Sequence, residues 1–249
     1  KSGTTTYYNT LSTAIAGATS GGGNSGGGTI KVLNSITDSS AASTNKTIVL
    51  NMNGKTLTRN ATITTTGGTL TIKGSGTIYS NDTEVTLRAN GGNLSVSSVT
   101  IRSNKNHGIY AMEGTSGSVS ISSSYVYSNG RSAMRVGGSG AITITSSYVY
   151  TPVKDKNAIY VYEGCKSAFT ITGSTICNGI SNTSGENGSG GVSAAISYNS
   201  TGRLTITNSD ILAGPYAANA ITVYKPTTVN LTGSTRLYTT NTSNTANGI

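Results

Sequence analysis

The sequence predicts an all-β chain, wound as a right-handed parallel β-helix of about eight or nine coils behind a short N-terminal capping helix. Three observations predict it. The first is a repeated line: LSVSSVTIRSN from Leu94, VSISSSYVYSN from Val119 and ITITSSYVYTP from Ile142, at steps of 25 and 23 residues. Related lines start at Leu70, Phe169, Leu204 and Val229. The second is another line about halfway through each period: HGIYAMEG at His107, SAMRVGG at Ser132, NAIYVYEG at Asn157, AAISYNS at Ala194 and NAITVYK at Asn219. Both alternate with a period of two and are bounded by Gly, Ser and Asn, as short strands are. The third is the thinness of the apolar content, 34% with no Trp and one Phe. A narrow rod stacked coil on coil needs no more, because each strand buries its inward residue against its neighbours above and below.

The inward residues follow from the alternation. They form the columns Val96/Ile121/Ile144/Ile171/Ile206, Ile101/Val126/Val149/Ile176/Ile211 and Ile109/Met134/Ile159/Ile196/Ile221. Their mostly β-branched character suits a pleated stack.

Taken from the start, residues 1–28 read as a cap and a glycine-rich loop, and residues 29–249 as the β-helix. KSGTTTYYNT is not a signal peptide. In residues 7–18 Leu11, Ile15 and Ala18 share one helical face, which predicts a helix covering the exposed end of the rod. TSGGGNSGGG follows, without the Lys-Ser or Lys-Thr ending of a phosphate-binding loop. Thr29 to Thr66 supplies the first, less regular coils. Later coils carry Asn81, Asn104, Asn129 and Asn178 after the second strand. These predict tight corners in the left-handed region and an Asn ladder along the rod. The step from Phe169 to Leu204 is 35 residues, which places a loop near residues 178–191 on one side of the rod. NGI at Asn247–Ile249 matches the strand starts at His107, Asn157 and Asn219, so the repeat stops partway through a coil. This predicts a larger parent polypeptide.

The wording of the opening resembles a known group. A leading helix, then GTIKVL, TIVLNMNGKTLT and GGTLTIKGSGTI, is similar to the start of right-handed parallel β-helix domains of bacterial surface proteins in the pectate-lyase-like superfamily. The likeness is close over residues 7–80 and generic beyond. It implies the fold and an extracellular or cell-surface setting. It implies no single activity, since that superfamily spans lyases, hydrolases, tailspikes and adhesins. Asn51 stands where those domains often have Asp.

Charge and composition narrow the function. The net charge of +9 comes from 17 basic and 8 acidic residues, and it favours either solubility or an acidic partner. The basic residues are scattered singly, which argues against nucleic acid. No apolar run spans a membrane. The single His107 and the two cysteines, Cys165 and Cys177, make no zinc motif, and no cofactor is expected. The cysteines read either as free thiols or as one disulfide within their coil. The nine Asn-X-Ser/Thr matches follow from composition. The threonines show no regular TxT ladder through successive coils, which sets an ice-binding array aside.

The acidic residues are dispersed, with no grouping for a calcium-dependent lyase. Glu113 and Glu163 are the candidate catalytic pair. They occupy equivalent positions two coils apart, roughly 9–10 Å by strand spacing, with a notch expected at Gly138 between them. The aromatic pattern points instead to binding. Tyr110, Arg135 and Tyr160 fall at one outward position of successive coils, and Tyr162 widens the platform. Tyr125/Tyr148 and Tyr127/Tyr150 form two further outward pairs. Such a face suits sugar rings, with Arg135 for an acidic substituent. The resulting expectation is a non-catalytic extracellular stalk or adhesin that binds an acidic glycan or a host-cell surface. The alternative is a polysaccharide lyase or glycoside hydrolase acting on an acidic polysaccharide.

Overall fold

The computed structural model describes residues 6–20, 28–153, 156–179, 194–215, 217 and 219–240. It is a parallel β-solenoid of about seven turns, with a single short helix among the described residues. The turn count is slightly below the eight or nine expected. The glycine-rich loop, most of the 178–191 insertion and the C-terminal NGI lie outside the described residues.

Each turn contributes three strand positions, and stacking them makes three faces. The first and second faces form one 16-stranded sheet, and the third an 8-stranded sheet. The strand Val119–Ser122 stands for the first face, Tyr125–Ser128 for the second and Met134–Val136 for the third. Every strand pairing is parallel. The register places Ile121 between Val96 and Ile144, Val126 between Ile101 and Val149, and Met134 between Ile109 and Ile159. All three inward columns are therefore observed, and each of their residues is buried.

The corner between the first and second faces explains the recurring small polar pair. Ser75, Ser98, Ser123, Ser146 and Asn208 have φ of 46–56°, and Gly173 and Gly233 occupy the same corner at 55° and 61°. After Ser123, Ser146, Gly173 and Asn208 the next residue is a buried serine whose hydroxyl does two jobs. Ser147 Oγ accepts the Ser124 N–H at 3.1 Å and donates to the Thr145 carbonyl at 2.7 Å. Ser124, Ser174 and Ser209 repeat both bonds. Backbone groups that the sharp corner removes from the strand ladder are thereby satisfied in the interior.

Two expectations about polar ladders change. Asn104 Nδ2 donates to Asn81 Oδ1 at 2.9 Å and Asn129 Nδ2 to Asn104 Oδ1 at 3.3 Å, so that ladder exists. These three residues do not take positive φ, however, and Asn178 is not among them. It pairs in register with Thr151, points inward, and bonds Lys156 O and Gly214 N. The threonines, in turn, do align. Thr143/Thr170/Thr205 and Thr145/Thr172/Thr207 stand opposite one another in three successive coils, with Ser120 and Ser122 next in line.

The helix runs Leu11–Ser20, later than expected, because Thr10 caps it. Its Oγ1 accepts the Thr13 N–H at 3.2 Å. Leu11, Ala14 and Ile15 are buried against the first coils, while Ala18 is half-buried. A second tie was not foreseen. The Leu11 N–H donates at 2.7 Å to Asp38, whose carboxylate also meets the fully buried Arg59 at 2.6 Å. The cap is thus hydrogen-bonded to a charge pair inside the rod.

Candidate functional site

The predicted site lies on the third face. Its outward column reads Thr64, Arg88, Tyr110, Arg135, Tyr160 in strict register. Strand pairing places Tyr110, Arg135 and Tyr160 side by side as expected. The guanidinium, however, leans along the strand. Its carbon lies 5.0 Å from the Tyr110 ring centre and 4.9 Å from that of Tyr162, while Tyr160 meets Tyr162 edge-on at 6.2 Å.

The charge on Arg135 is already matched. Glu113 Oε1 is 2.6 Å from its Nη2 and also accepts the Tyr110 hydroxyl at 3.1 Å. Gly137 makes this arrangement fit, since a Cβ there would fall 2.2 Å from Glu113 Cγ. The notch expected at Gly138 is absent, because its Cβ position lies 2.6 Å from the Thr115 carbonyl oxygen. Burial raises the Tyr110 phenol above its ordinary pKa, against the nearby Arg135 charge, so it remains a donor at neutral pH.

Glu163 turns away from Glu113 and meets Lys225 at 3.1 Å. The two glutamates serve separate cations and do not converge on one site. The other described carboxylates are also engaged. Asp38 pairs with Arg59, Glu84 with Arg88 at 3.6 Å, and Asp210 with Arg236 at 2.6 Å, while Asp82 accepts from Thr83. Asp155 and Glu186 lie outside the described residues. Among the described residues no cluster of His, Cys, Asp or Glu could hold a metal ion, and no helix is long and apolar enough to cross a membrane.

The two cysteines are free and buried. Cys165 donates to the Gly138 carbonyl at 3.1 Å. Cys177 aligns with Tyr150 as expected, and burial pushes its thiol up to about 12.

His107 precedes the Tyr110 strand and is buried, with Nδ1 donating to the Ser132 carbonyl at 3.0 Å. Burial, with the nearby charges of Arg135, Arg131 and Lys156, lowers its pKa to about 4, although the Ser132 bond favours the proton. Between the ordinary value of about 6.5 and pH 4 the unfolded chain takes up a proton that the folded chain refuses. The His107 contribution is therefore whole above pH 6.5 and is lost as acid is added, by about 3 kcal/mol in all at 1.36 kcal/mol per unit. Urea unfolding at pH 7 and pH 4.5 is expected to show a smaller difference for His107→Asn than for wild type. Equal differences would mean that water reaches the ring.

The second face holds the larger aromatic cluster, which the sequence showed only as two pairs. Tyr79, Arg102, Tyr127 and Tyr150 align in register, beside Thr100, Tyr125 and Tyr148. Tyr127 and Tyr150 stack at 5.3 Å and 15°, and Tyr148 lies 5.8 Å from both Tyr125 and Tyr150. Period-two alternation could have found this block, because YVY occurs in two successive coils.

Comparison with known proteins returns no matching family model, no matching curated protein and no matching solved structure.

Proposed function

We propose that the chain is a non-catalytic extracellular module of a bacterial surface protein, a stalk or adhesin whose outer faces bind glycans. The observation that carries this reading is the state of the carboxylates. Five of the six described are ion-paired and the sixth is held by its own turn, so among the described residues no pair is left to act as acid and base. The rod meanwhile presents aromatic rings at fixed outward positions, the kind of surface that sugars stack on. The surface setting, the bacterial source and the tie to the pectate-lyase-like superfamily rest on the wording of residues 7–80.

Incubation with polygalacturonate and other uronates, with and without calcium, is expected to release neither unsaturated ends nor new reducing ends. A glycan array probed with the same protein is expected to register binding. Cleavage that disappears in Glu113→Gln or Glu163→Gln would replace this reading with the lyase or hydrolase. An array on which nothing binds would remove the glycan and leave the stalk.

A further inference from the structure

We infer that the trough where the first and second faces meet is a subsite for a linear anionic glycan, with Arg102 recognising its carboxylates. This rests on the glycan-binding reading but moves the charged contact away from Arg135. Two shallow hollows, of about 450 and 520 Å³, share Thr100 and Tyr125 and so run into one another. One follows the left-handed corner past Ser75, Ser98 and Ser123, and the other is walled by Tyr127, Tyr148 and Tyr150. The joined trough extends from the coil of Gly54 to that of Tyr150, along the axis of the rod.

Its rings are fixed before any ligand arrives. Tyr127 donates to Asn129, which belongs to the Asn ladder, and stacks on Tyr150, so little side-chain freedom remains to be lost on binding. Tyr125 is 60% exposed and offers its ring to an incoming apolar sugar face. Thr100, Ser98 and Ser123 also line the trough, and their hydroxyls can meet sugar hydroxyls.

The charge pattern selects an anion. Among arginines at outward strand positions, Arg88, Arg135 and Arg236 each have a carboxylate partner. Arg102 has none within 4.0 Å among the described residues. It is exposed and lies 5.1 Å from the Tyr79 ring centre and 5.6 Å from that of Tyr127. No strand of these two faces between Ile48 and Thr151 contains an Asp or Glu, whereas Lys73 of the first face is exposed. A guanidinium flanked by two rings and without a carboxylate of its own can offer its N–H groups to a bidentate carboxylate contact. Coil spacing sets the guanidinium and the Tyr127 and Tyr150 rings at intervals of roughly 4.8 Å, so a chain lying along the axis meets them in turn. Single-stranded nucleic acid also stacks on aromatic rings, but it needs a track of cations, and the residues lining this trough include a single one, Arg102.

The full chain is to be run in affinity gels containing polygalacturonate, alginate or hyaluronan, with fully methyl-esterified pectin as the neutral counterpart and oligodeoxythymidine as a separate arm. Arg102→Gln is expected to weaken retardation by the best uronate tenfold or more and to leave the neutral polymer unchanged. Tyr125→Ala with Tyr148→Ala is expected to weaken both, and Tyr110→Ala with Tyr160→Ala neither. Melting temperatures confirm that each variant is folded. Retardation lost only in the Tyr110/Tyr160 variant would overturn this subsite while preserving glycan binding. Retardation by oligodeoxythymidine but by no uronate would overturn it in favour of nucleic acid. No retardation by any polymer would overturn both this inference and the reading beneath it.

Discussion

Ile121→Asp is expected to destabilise the rod by about 4 kcal/mol or more, since it buries a carboxylate with no partner. Ile121 is fully buried mid-stack, with Val96 on one side and Ile144 on the other. Ionisation there would require a cation or water, and the column supplies neither. The carboxylate would stay protonated or the coil would open, and a solenoid that opens in its middle loses contacts on both sides of the break. Ser122→Asp is the control. It lies one residue along the same strand, half-buried and outward, and its cost is expected to stay near about 0.5 kcal/mol, as at ordinary surface positions. Chemical denaturation of the two variants decides the matter, and equal midpoints would contradict the observed register.

Asp38→Ala is expected to cost about 3–5 kcal/mol, because it strands a buried guanidinium. The side chains of Arg59 and Asp38 are 0% and 3% exposed. The same substitution removes the acceptor of the Leu11 N–H and both bonds from Ser40. The helix should therefore detach with the first coil, making residues near it sensitive to protease while the distal coils hold. Replacing both partners with apolar residues is expected to recover most of the loss. The pH dependence has a definite sign. Burial raises the Asp38 pKa, but the Ser40 hydroxyl, the Leu11 and Ser40 N–H groups and the Arg59 charge outweigh it, so the folded value is below the ordinary one. The Asp38 contribution is thus complete above about pH 4 and is lost as pH falls through the lower, folded value. An Asp38→Ala protein as stable as wild type would mean that solvent already satisfies the pair.

The columns were legible because an inward aliphatic recurs at steps of 23–27 residues from Val96 to Ile171, and Ile121, Val126 and Met134 could be placed by alternation alone. Contacts between coils were less legible. Asn178 looks like Asn129 in the sequence, but the inward slot at the end of the second strand is itself polar, filled by Ser128 and Thr151, so a slip of one residue leaves no trace in the pattern. The Asp38–Arg59 pair was not read from the sequence: Arg59 shares the inward parity of Leu57 in TLTR, but its partner lies in the preceding coil. Glu113 could not be assigned to Arg135 from spacing, since its reach depends on the space left by Gly137. The Arg102 cluster was visible as residues but not as chemistry. Its difference from the Arg135 cluster is the lack of a carboxylate, and side-chain positions are needed to see that.

The serine corner makes the length of this rod a free variable. In the four successive coils of Ser124, Ser147, Ser174 and Ser209, one hydroxyl receives an N–H from the coil before and offers its hydrogen to a carbonyl of its own coil. Insertion of one more such coil adds a donor and an acceptor together, so duplication or deletion of a unit within this stretch leaves no corner group stranded. A lineage can therefore extend or shorten the molecule by recombination between coils, at about 4.8 Å of reach for each unit gained, without redesigning its interior.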